Sequence, residues 1–424
     1  MIKVFRAKED PKDLAERVRS TFKVEQEELN RVREVIEQVK LRGDKALIDY
    51  HYKFDGVKLR EDEIRVKKEE IERAYSYVSE AQIKALKFII KRVENLAKLE
   101  LEGLRKDVAF DNILVKMDYR ALDSVGCYVP FGKASYPSSL IMACSTARVA
   151  GVKRLVVCSP LKKEDSLLLV ASDLCKVNEF YRVGGAQAIA ALAYGTESIK
   201  PVDKIFGPGG KFVTLAKYLV SKDKPIDFLA GPTELLVIAD EKANEKFIAW
   251  DLMAQAEHDI DTLCGLITNS ESLVKKVQNE LSNLIKSVER REIIQEALSK
   301  NGFIIICDSL EYIVEFANSL APEHLHILME GLEDKVSSAG LIALGEYTPI
   351  AACDYCIGTN HILPTLGYSK FYSGLSVLDF VKRVKIVKAE KEALKELAEP
   401  IKELALAEGL PNHYLSVLKR IEDA

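Results

Sequence analysis

From residue 138 onward the chain alternates short apolar runs with amphipathic stretches, and this alternation constrains the fold more than any other feature. A helix is expected over 138–150, a strand over 154–158, a helix over 165–175 and a strand over 179–183. The series goes on with a helix over 185–194, a strand over 203–206 and a helix over 212–221. Runs such as Leu155-Val156-Val157-Cys158 have no polar side and must be covered on both faces. Such strands, separated by amphipathic helices, imply a parallel sheet with helices on either side. A second series opens at Leu235-Leu236-Val237-Ile238-Ala239 and continues with a helix over 245–257 and strands over 263–268 and 303–307. A break near 227–232 separates the two series, so two α/β units are expected.

Upstream, the chain reads as helices from Pro11 to about Leu101. Val32, Val35, Ile36 and Val39 mark one apolar face, and Ile71, Ala74, Tyr75 and Val78 another. Extended runs follow at 113–115 and 125–129, and the tail from Lys391 reads as helix interrupted by Pro400 and Pro411. At 424 residues the chain exceeds one compact core. No apolar run reaches the roughly 18 to 20 residues that span a bilayer, and the N-terminus lacks the apolar core of a signal peptide. A cytoplasmic protein is expected. The net charge of −4 is spread along the chain, which argues against nucleic acid or an anionic membrane as partner. The eight cysteines lie mostly in apolar stretches and read as buried, reduced thiols. Cys353 and Cys356 form a lone Cys-x-x-Cys pair, too few for a four-cysteine zinc site, and are taken as incidental.

Six histidines are present, and five of them, His258, His324, His326, His361 and His413, follow residue 250. Gln255 and His258 project from one helix face, a spacing that serves either zinc ligation or a solvated helix end. Pro322-Glu323-His324 makes a turn with two adjacent bases, or simply a polar turn. Asp354 and His361 flank a turn at Gly358, and Glu408 and His413 add an acid and an imidazole in the tail. Both pairs read equally as solvated loops. The turn Phe206-Gly207-Pro208-Gly209-Gly210-Lys211-Phe212 lies between a strand and a helix, where glycine allows close approach of a phosphate. Phe212 occupies the third glycine position of the dinucleotide fingerprint, so a structural turn explains it as well. Gly184-Gly185-Ala186-Gln187 opens the preceding helix in the same way.

Read in order, eight segments resemble histidinol dehydrogenase from about residue 25 to the end. They include Gly126-Cys127-Tyr128-Val129-Pro130, Val183-Gly184-Gly185-Ala186-Gln187-Ala188 and Lys204-Ile205-Phe206-Gly207-Pro208-Gly209. Next come Ala230-Gly231-Pro232-Thr233-Glu234, Ala254-Gln255-Ala256-Glu257-His258 and Ala321-Pro322-Glu323-His324-Leu325. The last two run from Gly358 through His361 to Thr365 and from Glu408 to His413. The resemblance implies one zinc ion per subunit, held by Gln255, His258, Asp354 and the partner subunit's His413 in an intertwined homodimer with shared active sites. It implies oxidation of L-histidinol to L-histidine by two hydride transfers to NAD. His324 is the implied base for the alcohol, and Glu323 activates the water that hydrates the enzyme-held aldehyde. Thr233, His361 and Glu408 match substrate contacts, together with the zinc ligands and His324, while Tyr128, Gln187 and position 210 match NAD contacts.

There are departures from the family pattern. Gly210 stands where Asn is usual, which implies a lost side-chain contact to NAD. Thr233 replaces a usual Ser and keeps the hydroxyl, and Phe131 replaces a usual Gly at the expected cofactor mouth. The fold implied is two incomplete Rossmann-like parallel-sheet domains. Residues 25–124 and 236–375 form the first, which carries the zinc and catalytic residues, and 126–235 are inserted as the second, on the NAD side. A helical N-terminal segment, 1–24, and a helical tail, 376–424, providing dimer contacts and partner-site residues, complete the subunit. Rival readings are a same-fold dehydrogenase of another small alcohol such as a sulfonated diol, a zinc hydrolase with Glu323 as base, and a non-catalytic dimer that retains zinc. The presence of His361 and Glu408 favours histidinol over the first, and the glycine turns are unexplained by the second.

Overall fold

The computed structural model describes residues 2–19, 24–104, 106–110, 112–131, 135–161 and 165–422. In chain order its strands are β1 (Lys3–Arg6), β2 (Lys106–Phe110), β3 (Ile113–Ala121), β4 (Ser124–Tyr128), β5 (Arg154–Cys158) and β6 (Glu179–Tyr181). They continue with β7 (Lys204–Phe206), β8 (Glu234–Ala239), β9 (Leu263–Thr268), β10 (Phe303–Ile306), β11 (His324–Ile327), β12 (Leu341–Leu344) and β13 (Val381–Ala389). The chain divides into two units, Met1–Lys98 with Leu122–Phe380, and Leu99–Ala121 with Val381–Ala424.

The larger unit is built on two parallel sheets. One has the order β1-β10-β9-β8-β11-β12 and the other β6-β5-β4-β7. In chain order the strands of the four-stranded sheet fall between β1 and β8, so that sheet is inserted in the sequence of the larger one. The central strands β8 and β9 are buried at every residue, as their unbroken apolar runs require. Their alternation feeds two cores. Leu235, Val237 and Ala239 pack with the helices Glu245–Ala256, Glu271–Leu284 and Arg291–Lys300. Leu236 and Ile238 pack on the opposite face with the helices Pro11–Val18 and Leu310–Leu320. In the second sheet the helix Gly185–Tyr194 presents alanines that allow close packing of Val32, Val35, Ile36 and Val39 from the helix Gln26–Arg42.

Helix entries follow local chemistry. Asn244 accepts a hydrogen bond from the Lys246 N–H (3.0 Å) at the start of Glu245–Ala256, and Ser270 does the same for Leu273 (3.2 Å) ahead of Glu271–Leu284. Among the described residues, no helix is long and apolar enough to cross a membrane. All eight cysteines are free thiols, Cys353 buried and Cys356 exposed.

Four strands, β1, β2, β12 and β13, were not anticipated. The N-terminal segment contains β1 as well as a helix, and β1 pairs in parallel with β10, Lys3 opposite Phe303. In the smaller unit, β13 precedes the tail helices and pairs antiparallel with β3, which pairs in turn with β2. Pro400 lies inside the helix Lys391–Ala407 and does not end it. The stop falls at Gly409, whose φ of 73° lets the Leu410 N–H return to the Ala405 carbonyl (2.7 Å), and Pro411 opens the next helix, Pro411–Glu422.

The glycine turn after β7 is braced from below. Gly207 has φ 110°, and a Cβ there would lie 2.1 Å from the Tyr128 carbonyl oxygen, so only glycine fits. Its N–H donates to Asp227 (2.9 Å), and its carbonyl accepts from the Lys217 ammonium (3.0 Å). Lys217 and Asp227 form a buried ion pair with each other. Burial pushes the Asp227 carboxyl up, against the pull of Lys217. Lys217→Met leaves that carboxylate without its cation and is expected to cost about 3–5 kcal/mol of unfolding free energy by denaturant titration. Adding Asp227→Asn, which removes the charge and keeps an acceptor for the Gly207 N–H, should recover most of the loss. An unaltered unfolding free energy in the single variant would show that the pair does not brace the turn.

Candidate active site

The amino-terminal edge of the six-stranded sheet and the loops beyond the carboxyl ends of β4 and β7 line one cavity of about 840 Å³. Thr233 immediately precedes β8, and Glu323 immediately precedes His324, the first residue of β11. His258 follows the C-terminus of the helix Glu245–Ala256, and Asp354 comes from the short helix Ile350–Tyr355. His361 lies in the loop after that helix. All six of these side chains line the cavity, as do Phe131, Gly209 and Gly210 from the opposite wall.

The turn before β11 is set by the chain itself. The helix Leu310–Leu320 ends at Ala321, which lies in the left-handed region (φ 47°) immediately before Pro322. Glu323 and His324 then enter the sheet edge as buried residues. The His324 Nε2–H donates to Asp354 Oδ1 at 3.0 Å, and Nδ1 lies 3.6 Å from Glu323 Oε2. Burial alone would lower the His324 pKa, but the Glu323 and Asp354 carboxylates outweigh it and push it up to about 10. For Asp354, burial works upward, and the His324 hydrogen bond with the charges of His324, His361 and His258 brings the net shift below the ordinary value.

Glu323 is held by donors from β8. Its Oε2 accepts the Glu234 N–H (2.9 Å) and the Thr233 hydroxyl. Thr233 in turn accepts from Gln255 Nε2 (2.6 Å). His361 gives its Nδ1–H to the Asp354 carbonyl (2.8 Å), which leaves Nε2 to accept from the Ser139 hydroxyl (3.1 Å). Burial lowers the His361 pKa, consistent with that neutral tautomer.

Gln255, His258 and Asp354 are the groups of this unit that suit a cation. Among the described residues, no three of His, Cys, Asp and Glu gather as a ligand cluster. Gln255, His258 and Asp354 offer instead an amide, an imidazole and a carboxylate. Gln255 spends its nitrogen on Thr233, so its oxygen is the atom left to meet a positive charge. A nitrogen and oxygen donor set of this kind fits zinc with room for a further ligand.

Other expected residues lie elsewhere. Tyr128 and Gln187 are buried and do not line this cavity. Tyr128 Oη accepts the Gly185 N–H (3.2 Å), and the Gln187 amide, two residues along the same helix start, is buried without a protein partner. Gly210 opens the helix Lys211–Val220, with nothing within 4 Å of where a Cβ would stand. Glu408 and His413 belong to the smaller unit, at the end of Lys391–Ala407 and in the first turn of Pro411–Glu422, and both are exposed.

Three features were missed in the sequence. Ser139 reaches His361. His326, for which no role was found, bridges Asp251 (2.8 Å) and the Gly345 carbonyl (2.9 Å) and so ties β11 to the helix that carries Gln255. Glu234 is completely buried at the first position of β8. Its only sequence signal is a carboxylate opening an otherwise apolar strand.

The model of the histidinol dehydrogenase family matches residues 18–421. A histidinol dehydrogenase of Methanothermobacter thermautotrophicus is 42% identical over 401 residues, 93% of this chain and 94% of that protein. One from Methanocaldococcus jannaschii is 42% identical over 423 residues, 98% of this chain and 97% of that protein. The crystal structure of histidinol dehydrogenase from Elizabethkingia anophelis superposes with a TM-score of 0.94 at 33% identity, covering 100% of this chain and 98% of the other. Sequence likeness along nearly the whole length and the same fold lead to one conclusion: the chain is an oxidoreductase and belongs to the histidinol dehydrogenase family.

Proposed function

We propose that the chain oxidises L-histidinol to L-histidine, the closing steps of histidine biosynthesis, in two successive hydride transfers with NAD as acceptor. The observation that carries this reading is the adjacent pair Glu323 and His324 in one cavity with Thr233, His258, Asp354 and His361. Taking a primary alcohol to a carboxylate requires a base for the alcohol proton and a base for the water that adds to the aldehyde. His324 accepts the hydroxyl proton as hydride leaves the carbinol carbon, which gives an aldehyde kept in the cavity. Glu323 takes a proton from water as the water oxygen bonds to the aldehyde carbon. The aldehyde oxygen takes the proton that His324 carries, and the hydrate then gives a second hydride from carbon to a second NAD and an oxygen-bound proton back to His324, leaving the carboxylic acid, which ionises.

Gln255, His258, Asp354 and the partner subunit's His413 hold one zinc ion per subunit in this reading. Bound zinc fixes the amino and imidazole nitrogens of the substrate. Thr233, His361 and Glu408 hold the rest of the substrate. Tyr128, Gln187 and the turn at Gly210 take NAD, with the N-terminus of the helix Lys211–Val220 favouring its phosphates. The Gly210 backbone serves where an Asn side chain is usual. The active form is a cytoplasmic homodimer in which each site draws on both chains.

The stoichiometry of NADH per L-histidinol, with zinc-loaded protein at limiting substrate, tests the chemistry. Two NADH with histidine as product is expected, and Glu323→Gln should lose the second. A single NADH from the unaltered protein would overturn the role of Glu323. No NADH would redirect the search to other alcohols such as a sulfonated diol, and turnover without nicotinamide would identify a hydrolase.

The shared site makes a separate prediction. Chains carrying Glu323→Gln and chains carrying His413→Ala should each form no histidine alone. Refolded together in equal amounts they should regain about one quarter of wild-type activity, because half of the dimers are mixed and each mixed dimer has one intact site. No recovery, with mixed dimers confirmed by mass, would exclude a site built from two subunits.

A further inference from the structure

Glu234 has no part in the scheme above, yet it is completely buried and engages the chain on three sides. Its carboxylate accepts the Leu366 N–H on Oε1 (3.0 Å) and the Glu323 N–H on Oε2 (3.3 Å). Its own N–H donates to the Glu323 carboxylate (2.9 Å). Glu234 and Glu323 thus clasp each other, main chain to side chain in both directions. The same carboxylate ties both to the loop that ends at Leu366. Next to it, Thr365 accepts the Gly231 N–H (2.6 Å) and lines the cavity.

The clasp matters because the segment that carries Glu323 is not held by a regular helix. Ala321 is strained in the left-handed region, and Glu323 precedes the first ladder position of β11. Without the Glu234 carboxylate, the Glu323 N–H and the Leu366 N–H would both be buried without an acceptor.

We propose that Glu234 is a positioning residue for the second oxidation, holding the Glu323 main chain so that its carboxylate stays turned toward Thr233 and the cavity. The proposal rests on the reading of Glu323 as the base that activates water. Burial and the nearby Glu323 charge push the Glu234 carboxyl up to about 8, against the Leu366 N–H.

The test separates the two oxidations in the zinc-loaded enzyme. NADH formation is measured with L-histidinol and, independently, with L-histidinal supplied as substrate. The readout is the ratio of aldehyde oxidation to alcohol oxidation, which a general loss of folded protein does not move. Glu234→Leu should lower that ratio at least tenfold and bring the NADH yield per histidinol toward one. Glu234→Gln retains one acceptor and should recover most of the ratio. Should the Leu variant fail to fold, Glu234→Gln and Glu234→Asp are compared in the same way, with a fall of threefold or more in the Asp variant expected from its shorter reach. Glu323→Gln is measured beside them. If it lowers the ratio and no Glu234 variant does, the positioning role is overturned and the reading of Glu323 stands. If Glu323→Gln leaves the ratio unchanged, the reading of Glu323 falls and the positioning role with it.

Discussion

The complete burial of β8 governs the arrangement around it. A strand whose side chains alternate into two separate cores cannot shift register by one residue without exchanging its faces, so its first residue is fixed in space. That first residue is polar, and so is the one before it. Burying Glu234 without partners, with Thr233 half-buried beside it, would be costly. The partners come from the turn before β11, from Gln255 and from the loop at Leu366. The polar chain Gln255–Thr233–Glu323 is in this sense a consequence of hydrophobic packing. It also joins a candidate cation ligand to a candidate base through one hydroxyl.

Strands and helices whose pattern is local were legible in the sequence. The strand Arg154–Cys158 and the helix Gly185–Tyr194 each have the length and apolar periodicity that identify them alone. β1 and β13 do not. Lys3-Val4-Phe5-Arg6 is short and half charged, and it becomes a strand because β10, some three hundred residues later, offers an edge. β13 alternates Val and Ile with Lys and Arg and gains its meaning from β3. The same distinction divides the site. Glu323 and His324 are adjacent in sequence and could be recognised together, with the family resemblance supplying their roles. The bond of His324 to Asp354 and the clasp of Glu234 with Leu366 join residues far apart, and no spacing announces them.

Asp354 and His361 were read as a pair around the Gly358 turn, and the structure gives that pair a direction. The Asp354 carbonyl takes the His361 Nδ1–H while its carboxylate takes His324. One residue thereby orients both imidazoles, one through its carbonyl and the other through its carboxylate. Ser139 completes the assignment for His361 from the opposite wall. The two imidazoles are thus held by different atoms of one residue, although their sequence contexts look alike.

The separation of Glu323 from His324 completes the physical picture. Glu323 and His324 line the same cavity, yet they do not hydrogen-bond to each other. At 3.6 Å, His324 Nδ1 is beyond hydrogen-bond range of Glu323 Oε2 and is buried without another hydrogen-bond partner. His324 has Asp354, while Glu323 has Thr233 and the Glu234 N–H. Charge still couples them, since the Glu323 carboxylate raises the His324 pKa across that gap. Two bases that feel each other's charge but do not lock together can each face a different proton in turn. A two-step oxidation in a single cavity needs that arrangement, and it follows from where the chain buries its polar groups.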